Sequence, residues 1–513
     1  MHLTQLFDVS LRGRAEDIGL EYDDSDGRLR SLTFGEIDAR ASRMARELTA
    51  RGLRQGDRLC LHIANGVEFI DLYLACVRLG VILVPMNVLY RERELAHIIA
   101  SAEPAAIVAS ANEVAYPDGV PVWGLEKLSE AAMRQPSLRS NIMLDGSAPA
   151  LIVYTSGTTG VPKGAVLSHD ALAVNAMTLV AIWKITAADR YLAMLPLFHL
   201  HGLGNGLHSW LIAGCRLRLL TRFDQRTTPG IMAEFRPTLV LGVPTIYVRL
   251  LDPEVVNPAL AGEIATYVRL FVSGSAPLPS HLHEAFRARY GQAILERYGM
   301  TETLIIASNL YADDRRAGSV GVPLPGVSVR VTDEQGRVLG DAEVGELEVR
   351  SPSLFSGYWR DARATADAFR DGWFRTGDVG SRSADGYYTL HGRRGDLIIS
   401  GGFNVYPREV ENVLLARQQV RDAAVVGIPD PIRGEVPIAF IVCDDQIDMK
   451  VLETWCRTQL ASFKIPRAFL RVDSLPRTAL GKVQTSGLVA LARELVLTPR
   501  VDASLFPSPT TSR

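Results

Sequence analysis

Short apolar runs alternate with amphipathic segments along most of this chain, a pattern typical of α/β proteins. The apolar runs predict buried strands, among them ALIVY (150–154), TLVLG (238–242) and RLFVSG (269–274). Between the runs, apolar residues recur at helical spacing. In the segment 280–291, for example, Leu282, Phe286 and Tyr290 fall on one face. We therefore predict a large α/β region.

The pattern changes towards the C-terminus. From Val327 to Arg350, alternating residues around the turn DEQGR indicate a β-rich subdomain. Beyond the glycine-punctuated stretch GRRGDLIISGG, the order is helix, strand, strand and helix, and the first helix begins at Pro407. We predict a large, multi-layer N-terminal domain at 1–394 that includes the β-rich subdomain, a small α+β domain at 395–495, and a flexible tail at 496–513.

Composition narrows the class of protein. A chain of 513 residues is too long for a single core, and 47% hydrophobic with 22% charged residues is typical of soluble globular proteins. A net charge of −2 gives no reason to expect binding to nucleic acid or to an anionic membrane. The five cysteines are scattered without CxxC spacing, which indicates reduced thiols rather than disulfides or a zinc site. With no apolar stretch of membrane-spanning length and no signal peptide, we expect a cytoplasmic protein.

One loop carries unusual chemistry. Directly after the run ALIV, the sequence YTSGTTGVPKG (154–164) combines hydroxyls, glycines and one lysine. Glycines let backbone N–H groups approach an anion, hydroxyls donate further hydrogen bonds, and Lys163 adds a positive charge, so the loop suits a polyphosphate. It is not a Walker A loop, because Gly164 stands where Ser or Thr would follow the lysine. A flexible surface turn is the alternative interpretation.

Six further motifs follow this loop in order. They are LPLFHLHG (195–202), SGSAP (273–277), ERYGMTE (296–302), WFRTGDVG (373–380), GRRGDLIISGGFNVYPREVE (392–411) and PRTALGK (476–482). Together the seven resemble the adenylate-forming superfamily, which includes acyl-CoA synthetases, luciferases and peptide-synthetase adenylation domains. The resemblance covers roughly residues 27–490. It implies that a carboxylate attacks the α-phosphate of ATP, with Mg²⁺ bound, and that a thiol such as that of CoA then displaces AMP.

The resemblance also assigns roles around ATP. The β- and γ-phosphates would be held by Thr155, Ser156, Gly157, Thr158, Thr159, Gly160 and Lys163. Tyr298 would stack on adenine, and Asp378 and Arg393 would contact the ribose. The other side of the base would be lined by Ser273, Gly274, Ser275, Ala276 and Pro277, and Glu296 and Gly299 would also belong to the nucleotide site. Thr301 would donate to the α-phosphate, and Glu302 would hold Mg²⁺. Without the resemblance, Thr301 and Glu302 could simply begin a helix, and Asp378 could form a turn after Gly377.

The C-terminal motifs imply a mobile domain. Lys482 in PRTALGK matches the lysine that the family brings between the attacking carboxylate and the α-phosphate, although a lysine beside a glycine is ordinarily a solvated surface residue. Gly395 stands where the family usually has a Lys or Asp hinge, next to Asp396. Glycine absorbs a backbone rotation readily but offers no side chain to lock one state. The CoA pantetheine would run along Ser400, Gly401 and Gly402.

Within the superfamily, the motifs most resemble those of malonyl-CoA synthetases. Arg297 precedes YGMTE, and its guanidinium could bind a second carboxylate, with His199 as a further donor and Met300 lining the acyl pocket. Arg297 could instead pair with Glu296 and only brace the loop. Leu200 replaces the expected Thr between two histidines, and the segment 202–214 is glycine-rich, so a medium- or long-chain fatty acid is the alternative substrate.

Other classes fit the sequence less well. An adenylating enzyme that serves a carrier protein would share every ATP motif, but no carrier domain follows Lys482. Nothing supplies an oxidation signature of the luciferase type. A non-catalytic scaffold would be expected to lack Lys482, Glu302 or Asp378, and all three are present.

Overall fold

The computed structural model describes residues 1–110, 115–139, 142–155, 162–312, 314–400, 403–430, 433–443, 447–478 and 481–497. Contacts divide the chain into two compact units, Met1–Leu390 and His391–Arg513. The domain limits inferred from the sequence, at 394 and 495, stay predictions. The predicted tail lies outside the described residues from position 498 onwards.

Two large sheets, parallel in their central strands, form most of the first unit. In spatial order, the nine strands of one sheet are Val322–Pro323, Leu304–Ser308, Leu295–Met300, Leu270–Ser273, Leu239–Gly242, Arg190–Ala193, Arg216–Leu219, Ile18–Asp23 and Leu29–Thr33. The seven strands of the other are Gly357–Tyr358, Lys163–Ser168, Pro149–Thr155, Ile82–Pro85, Arg58–His62, Ala106–Ala109 and Val122–Gly124.

Helices lie along the two sheets. The α-helices of this unit are Leu3–Leu11, Phe34–Ala50, Val67–Leu79, Glu92–Ala102, Leu125–Met133, His169–Ile182, His208–Ala213, Thr228–Phe235, Pro244–Leu251, Pro258–Tyr267, Ser280–Tyr290 and Ala362–Asp367, and a π-helix spans His201–Leu207. One apolar cluster contains Leu59 and Leu83 from the seven-stranded sheet and Leu217 and Phe271 from the nine-stranded sheet. The main core therefore joins the two sheets.

The predicted β-rich subdomain is a third, antiparallel sheet. Its strands are Ser328–Thr332, Gly345–Arg350, Trp373–Arg382, Phe369–Arg370 and Tyr388–Arg393. Val331, Leu347 and Val349 share an apolar cluster with Tyr298, which belongs to the nine-stranded sheet. This sheet is thereby fixed beside the strand that carries ERYGMTE.

The second unit is a small α+β fold around its own sheet. The strands are Phe403–Val405, Ile398–Ser400, Gly434–Cys443, Val420–Asp430 and Ala468–Arg471, and the helices are Pro407–Leu415, Met449–Gln459 and Thr485–Leu497, with short 3₁₀ turns at Arg394–Asp396 and Ser462–Lys464. Successive residues of Gly434–Cys443 pack on opposite faces: Ile441 clusters with Leu452, and Phe440 with Leu488. Both faces of this sheet are thus covered by helices.

The structure confirms the predicted α/β class, with a large N-terminal and a small C-terminal domain. No helix within the described residues combines the length and the apolar character needed to cross a membrane.

Candidate functional site

The ends of the hydroxyl–glycine loop are set by a strand pair. Pro149–Thr155 and Lys163–Ser168 run antiparallel, and Thr155 lies opposite Lys163. Residues Ser156, Gly157, Thr158, Thr159 and Gly160 lie outside the described residues. The last residue before the loop is therefore Thr155, with its hydroxyl, and the first strand residue after it is the cationic Lys163.

Glu302 lies beside these loop ends. Its side chain is almost fully buried, and its Oε1 accepts hydrogen bonds from the hydroxyls of Tyr358 at 3.0 Å and Thr155 at 3.5 Å. The Lys163 Nζ lies 5.3 Å from the centroid of the Tyr358 ring. The structure thus brings together three residues that the motifs singled out. Sequence reasoning missed Tyr358, whose place here depends on the pairing of Gly357–Tyr358 with Lys163–Ser168.

The motif ERYGMTE forms the first strand of a β-hairpin and the beginning of its turn. Leu295–Met300 pairs with Leu304–Ser308, and residues 301–303 make the turn, so Thr301 and Glu302 do not begin a helix. Leu304 has φ +55°, an uncommon conformation for a branched residue. A Cβ at Gly299 would lie 2.0 Å from the Leu304 carbonyl oxygen, so the tight turn needs glycine there. Thr301 is half-buried at its tip.

A cavity of about 380 Å³ lies on the Lys163 and Tyr358 side of this cluster. It is lined by Lys163, Tyr358, Asp361, Arg363, Ala364, Asp367 and Ala368. Two cations, Lys163 and Arg363, and two carboxylates, Asp361 and Asp367, line it, and Arg363 forms an ion pair with Asp367. Nowhere in the described part of the chain do three or more His, Cys, Asp or Glu side chains meet in a metal-binding group. The Glu302 carboxylate is an oxygen ligand of the kind that Mg²⁺ prefers.

The predicted nucleoside residues meet across two sheets. Asp378, in the strand Trp373–Arg382, is almost fully buried and accepts a hydrogen bond from the Tyr298 hydroxyl. The Asp378 N–H donates to Thr376 Oγ1 at 3.0 Å. The residue thus lies within a strand, not in a turn after Gly377. A buried carboxylate next to a phenol can accept from the two hydroxyls of a ribose.

Glu296 fixes the segment Ser273–Pro277. Its carboxylate accepts the Leu278 N–H at 3.0 Å, and its backbone carbonyl accepts the Asn309 N–H at 3.0 Å. Ser273, the last residue of its strand, is fully buried, and its hydroxyl has no hydrogen-bond partner among the described residues. Glu296 therefore anchors this segment to the hairpin strand.

Arg297 lies against the same segment. Its side chain is 5% exposed, yet Nε and Nη2 have no hydrogen-bond partner within the described residues. Within the described residues, burial and Tyr247 are the influences on its charge, with no acid among them, and Glu296 accepts from the Leu278 N–H instead. A Cβ at Gly274 would lie 2.4 Å from the guanidinium carbon, so the side chain lies directly on that glycine. The next residue, Ser275, has φ +69° and its hydroxyl contacts His201 Nδ1 at 3.2 Å.

Two histidines adjoin the guanidinium. Burial, with the nearby charge of Arg297, lowers the pKa of His199 to about 4 and that of His201 well below its ordinary value, so both are neutral at pH 7. His199 Nδ1 accepts the His201 backbone N–H at 3.1 Å, so the proton of the His199 ring is on Nε2, which can donate. Burial lowers the pKa of Arg297 to about 9, which leaves it cationic at pH 7. Sequence reasoning missed His201, whose motif gave no reason to separate it from His199.

Met300 completes the acyl-side residues. It is half-buried against the main core, and its N–H donates to Thr303 Oγ1 at 3.3 Å. Ala276 and Pro277, which the resemblance assigns to the nucleotide, are half-buried and exposed, respectively.

The remaining candidates belong to the second unit. Arg393 ends the strand Tyr388–Arg393, and Gly395 and Asp396 lie in the 3₁₀ turn Arg394–Asp396. Ser400 is buried, whereas Gly401 and Gly402 are outside the described residues. Lys482 is exposed, and its backbone bonds Thr478 in both directions, N–H to Oγ1 at 3.2 Å and carbonyl to N–H at 2.8 Å. The backbone of Lys482 is thus held against Thr478.

Two family models match the chain. The AMP-binding enzyme model covers residues 8–359, and the model of the AMP-binding enzyme C-terminal domain covers residues 409–482.

Named relatives differ in substrate. A feruloyl-CoA synthase from Amycolatopsis is 34% identical over 470 residues, covering 88% of this chain and 92% of its own. A sulfoacetate–CoA ligase from Cupriavidus necator is 35% identical over 482 residues, covering 88% and 91%. Among solved structures, ATP-bound MatB from Rhodopseudomonas palustris, a malonyl-CoA synthetase, has a TM-score of 0.89 at 40% identity, covering 96% of this chain and 99% of MatB.

Proposed function

Because the chain belongs to the AMP-binding enzyme family and is an AMP-forming acid–thiol ligase that uses ATP, Mg²⁺ and CoA, we propose that its acid substrate is malonate or a small substituted malonate. One carboxylate attacks the α-phosphate of ATP, which gives an acyl-adenylate and pyrophosphate. The CoA thiol then displaces AMP. The second carboxylate stays unreacted and needs a partner in the acyl pocket.

The observation that carries this proposal is the state of Arg297. A buried cation is normally paired with an acid, because leaving it unpaired costs several kcal/mol. Arg297 is 5% exposed, and no such acid lies beside it among the described residues. A substrate that brings its own anion satisfies the guanidinium with a bidentate pair. The distal carboxylate of malonate is such an anion.

The neighbouring histidine supports the same assignment. A neutral His199 with its proton on Nε2 donates a hydrogen bond without adding a second buried charge. Two of the similar proteins are a malonyl-CoA synthetase, MatB, and a sulfoacetate–CoA ligase, and both of these acids have two acidic groups. The feruloyl relative uses an acid with a single carboxylate, so family membership alone does not select the substrate.

A fatty acid would need apolar space that the glycine-rich segment does not provide. A Cβ at Gly202 would lie 2.4 Å from the Pro196 carbonyl oxygen, and one at Gly206 would lie 2.4 Å from the Tyr191 hydroxyl. These glycines therefore allow close packing instead of opening a pocket. A cavity lined in part by Gly206, Tyr191 and Trp210 measures about 10 Å³, about the room for one water.

Roles for the ATP residues follow from their grouping. We assign the phosphates to the loop that ends at Thr155 and Lys163, Mg²⁺ to Glu302, and the ribose to Asp378. Mg²⁺, when bound, would neutralise charge on the phosphate oxygens. We also place the enzyme in the cytoplasm, in line with its free, buried cysteines.

Substrate preference and Arg297 can be tested together. Pyrophosphate release and thioester formation are measured with malonate, methylmalonate, butyrate and octanoate in the presence of ATP, Mg²⁺ and CoA. Arg297→Ala should lower kcat/KM for malonate by roughly 30- to several-thousand-fold, the effect of truncating one partner of a buried charge pair. The kcat/KM for octanoate should change little in this variant, since octanoate has no second charge.

The control is Arg287→Ala, which removes an exposed arginine from the helix Ser280–Tyr290 and should leave both activities unchanged. Arg297→Lys should retain part of the malonate activity, because it keeps the charge but not the bidentate geometry. A wild-type enzyme that ignores malonate and accepts octanoate would refute the proposal.

A further inference from the structure

The helix Glu92–Ala102 contacts the strand pair on both sides of the hydroxyl–glycine loop. On the entry side, the Tyr154 hydroxyl donates to Ser101 Oγ at 2.8 Å. On the exit side, His97 Nε2 lies 2.8 Å from the carbonyl oxygen of Pro162, the residue before Lys163. A carbonyl can only accept, so His97 donates this hydrogen bond from a protonated Nε2. The two anchors are one helical turn apart on the same helix.

The helix is itself firmly packed. Leu95, Ile98, Ile99 and Ala102 form a buried apolar cluster with residues of the two strands, including Ile152, Tyr154 and Val166. The His97 ring also makes a T-shaped contact with the Tyr154 ring, at 6.4 Å between centroids. His97 and Ser101 therefore belong to a well-packed helix. Residues on such an element can hold a functional loop in place.

Gly164 makes this arrangement possible. It lies opposite Tyr154 in the strand pair, and a Cβ there would come within 2.7 Å of Ile152 Cγ2 and 3.1 Å of Tyr154 Cζ. The Tyr154 ring therefore lies against Gly164, and its hydroxyl reaches Ser101. A Walker A loop has Ser or Thr at this position, and its side chain would push the ring away.

We propose that the helix Glu92–Ala102 clamps both ends of the phosphate-binding loop, and that His97 is a positioning residue for Lys163 through the Pro162 carbonyl. The inference rests on the proposed function, since it takes the loop to bind the phosphates of ATP. Loss of the His97 bond leaves the Lys163 side of the loop free to shift. Such a shift lowers the efficiency with which ATP is used in the adenylation step. The reaction of a preformed acyl-adenylate with CoA does not involve the loop and is unaffected.

Two substitutions separate the hydrogen bond from the ring. His97→Phe keeps an aromatic ring against Tyr154 but cannot donate, whereas His97→Gln keeps an N–H donor and loses the ring. In ATP–pyrophosphate exchange, we expect His97→Phe to lower kcat/KM for ATP by about 3- to 10-fold, mainly through KM, as the loss of one hydrogen bond predicts. His97→Gln should stay within about twofold of wild type. Both variants should convert supplied acyl-adenylate to thioester at the wild-type rate.

Hydrogen–deuterium exchange of the peptide 155–164 without ATP tests the clamp independently of catalysis. Exchange should rise in His97→Phe and not in His97→Gln. Unchanged exchange in His97→Phe, or equal impairment of both variants, would overturn the clamp. If exchange rises but neither His97→Phe nor Lys163→Ala alters the kinetics with ATP, the clamp exists but the loop does not bind phosphate, and the proposed role of the loop is wrong.

Discussion

Gly274 determines where the Arg297 guanidinium can lie. The guanidinium carbon is 2.4 Å from the position of a Cβ on that glycine, so Gly274→Ala must displace the buried side chain. We expect kcat/KM for malonate to fall at least about tenfold, with a smaller change for octanoate, since only malonate needs the charge in its present place. The measurement is the ratio of the two specificity constants.

Gly262→Ala is the matched control for this substitution. Gly262 lies in the helix Pro258–Tyr267, and a Cβ there would meet no atom within 4 Å. It should leave the malonate-to-octanoate ratio unchanged. A similar fall in both variants would mean that Gly274 has no special relation to the acyl pocket.

The carboxylate of Asp378 is predicted to bind ribose. Asp378→Ala should raise the KM for ATP by about 10- to 150-fold, the loss expected for hydrogen bonds to a charged acceptor. It should not change which acid is preferred, because the proposed partners of the acid, Arg297 and His199, are different residues. Tyr298→Phe removes the phenol that donates to Asp378 but keeps the carboxylate and the ring, so its effect should be smaller. An ATP KM near the wild-type value in Asp378→Ala would contradict the ribose assignment.

Single residues were the least predictable level from sequence. Glu302 could be selected only because its motif resembles a known family, since in isolation it could simply begin a helix. Lys163 was already indicated by the glycines and hydroxyls of its loop, although a surface turn was an equally ordinary explanation. Tyr358 could not be selected at all. It reaches Glu302 through the pairing of two strands that are almost two hundred residues apart in sequence, and no local pattern encodes that pairing.

Elements were more predictable, because their periodicity is local. The predicted strands 150–154 and 269–274 appear as Pro149–Thr155 and Leu270–Ser273, and the predicted helix at 280–291 appears as Ser280–Tyr290. That helix ends at Gly291 with φ +69°, the left-handed conformation expected after a helix. The helix Thr485–Leu497 was not predicted, and its buried side chains, such as Leu488 and Ala492, are few.

At this scale, one glycine is expected to limit stability. Gly262 is exposed in the interior of its helix and has no positive φ. Gly262→Ala should therefore raise the free energy of unfolding by about 0.5–1 kcal/mol, because alanine loses less backbone entropy in a helix. The shift in urea midpoint at constant slope measures the effect. An unchanged or lower midpoint would show that the helix constrains this position in another way.

Across the large unit, buried neutral histidines set the acid limit of stability. Burial lowers the pKa of His199 to about 4 and those of His169 and His208 to about 3, below the ordinary value of 6.5. Below pH 6.5 the unfolded chain binds protons that the folded unit excludes, so stability falls as the pH drops towards 4. At pH 5, each of these histidines should lower the free energy of unfolding by about 1–2 kcal/mol.

This acid sensitivity can be traced to a single ring. His208 Nε2 contacts the Tyr73 hydroxyl inside the core, where a charged ring is strongly disfavoured. In His208→Gln, the difference in unfolding free energy between pH 7 and pH 5 should shrink by about 1–2 kcal/mol, even if the variant is less stable at both. An unchanged difference would mean that other groups determine the acid limit.

Lys482 connects chemistry to the division of the chain into two units. It is exposed and belongs to the small unit, whereas Lys163 belongs to the large unit, so the two cations are carried by separate units. Only adenylation brings two anions together, and only that step needs an additional cation between them. Lys482→Ala should therefore reduce acyl-adenylate formation by several orders of magnitude while thioester formation from supplied acyl-adenylate stays within a few-fold of wild type.

Lys450→Ala, which removes another exposed lysine of the same unit, should leave both half-reactions intact. Equal loss in both half-reactions of Lys482→Ala would show that the lysine acts on a step common to both, and that the small unit does not withdraw it after the adenylate has formed.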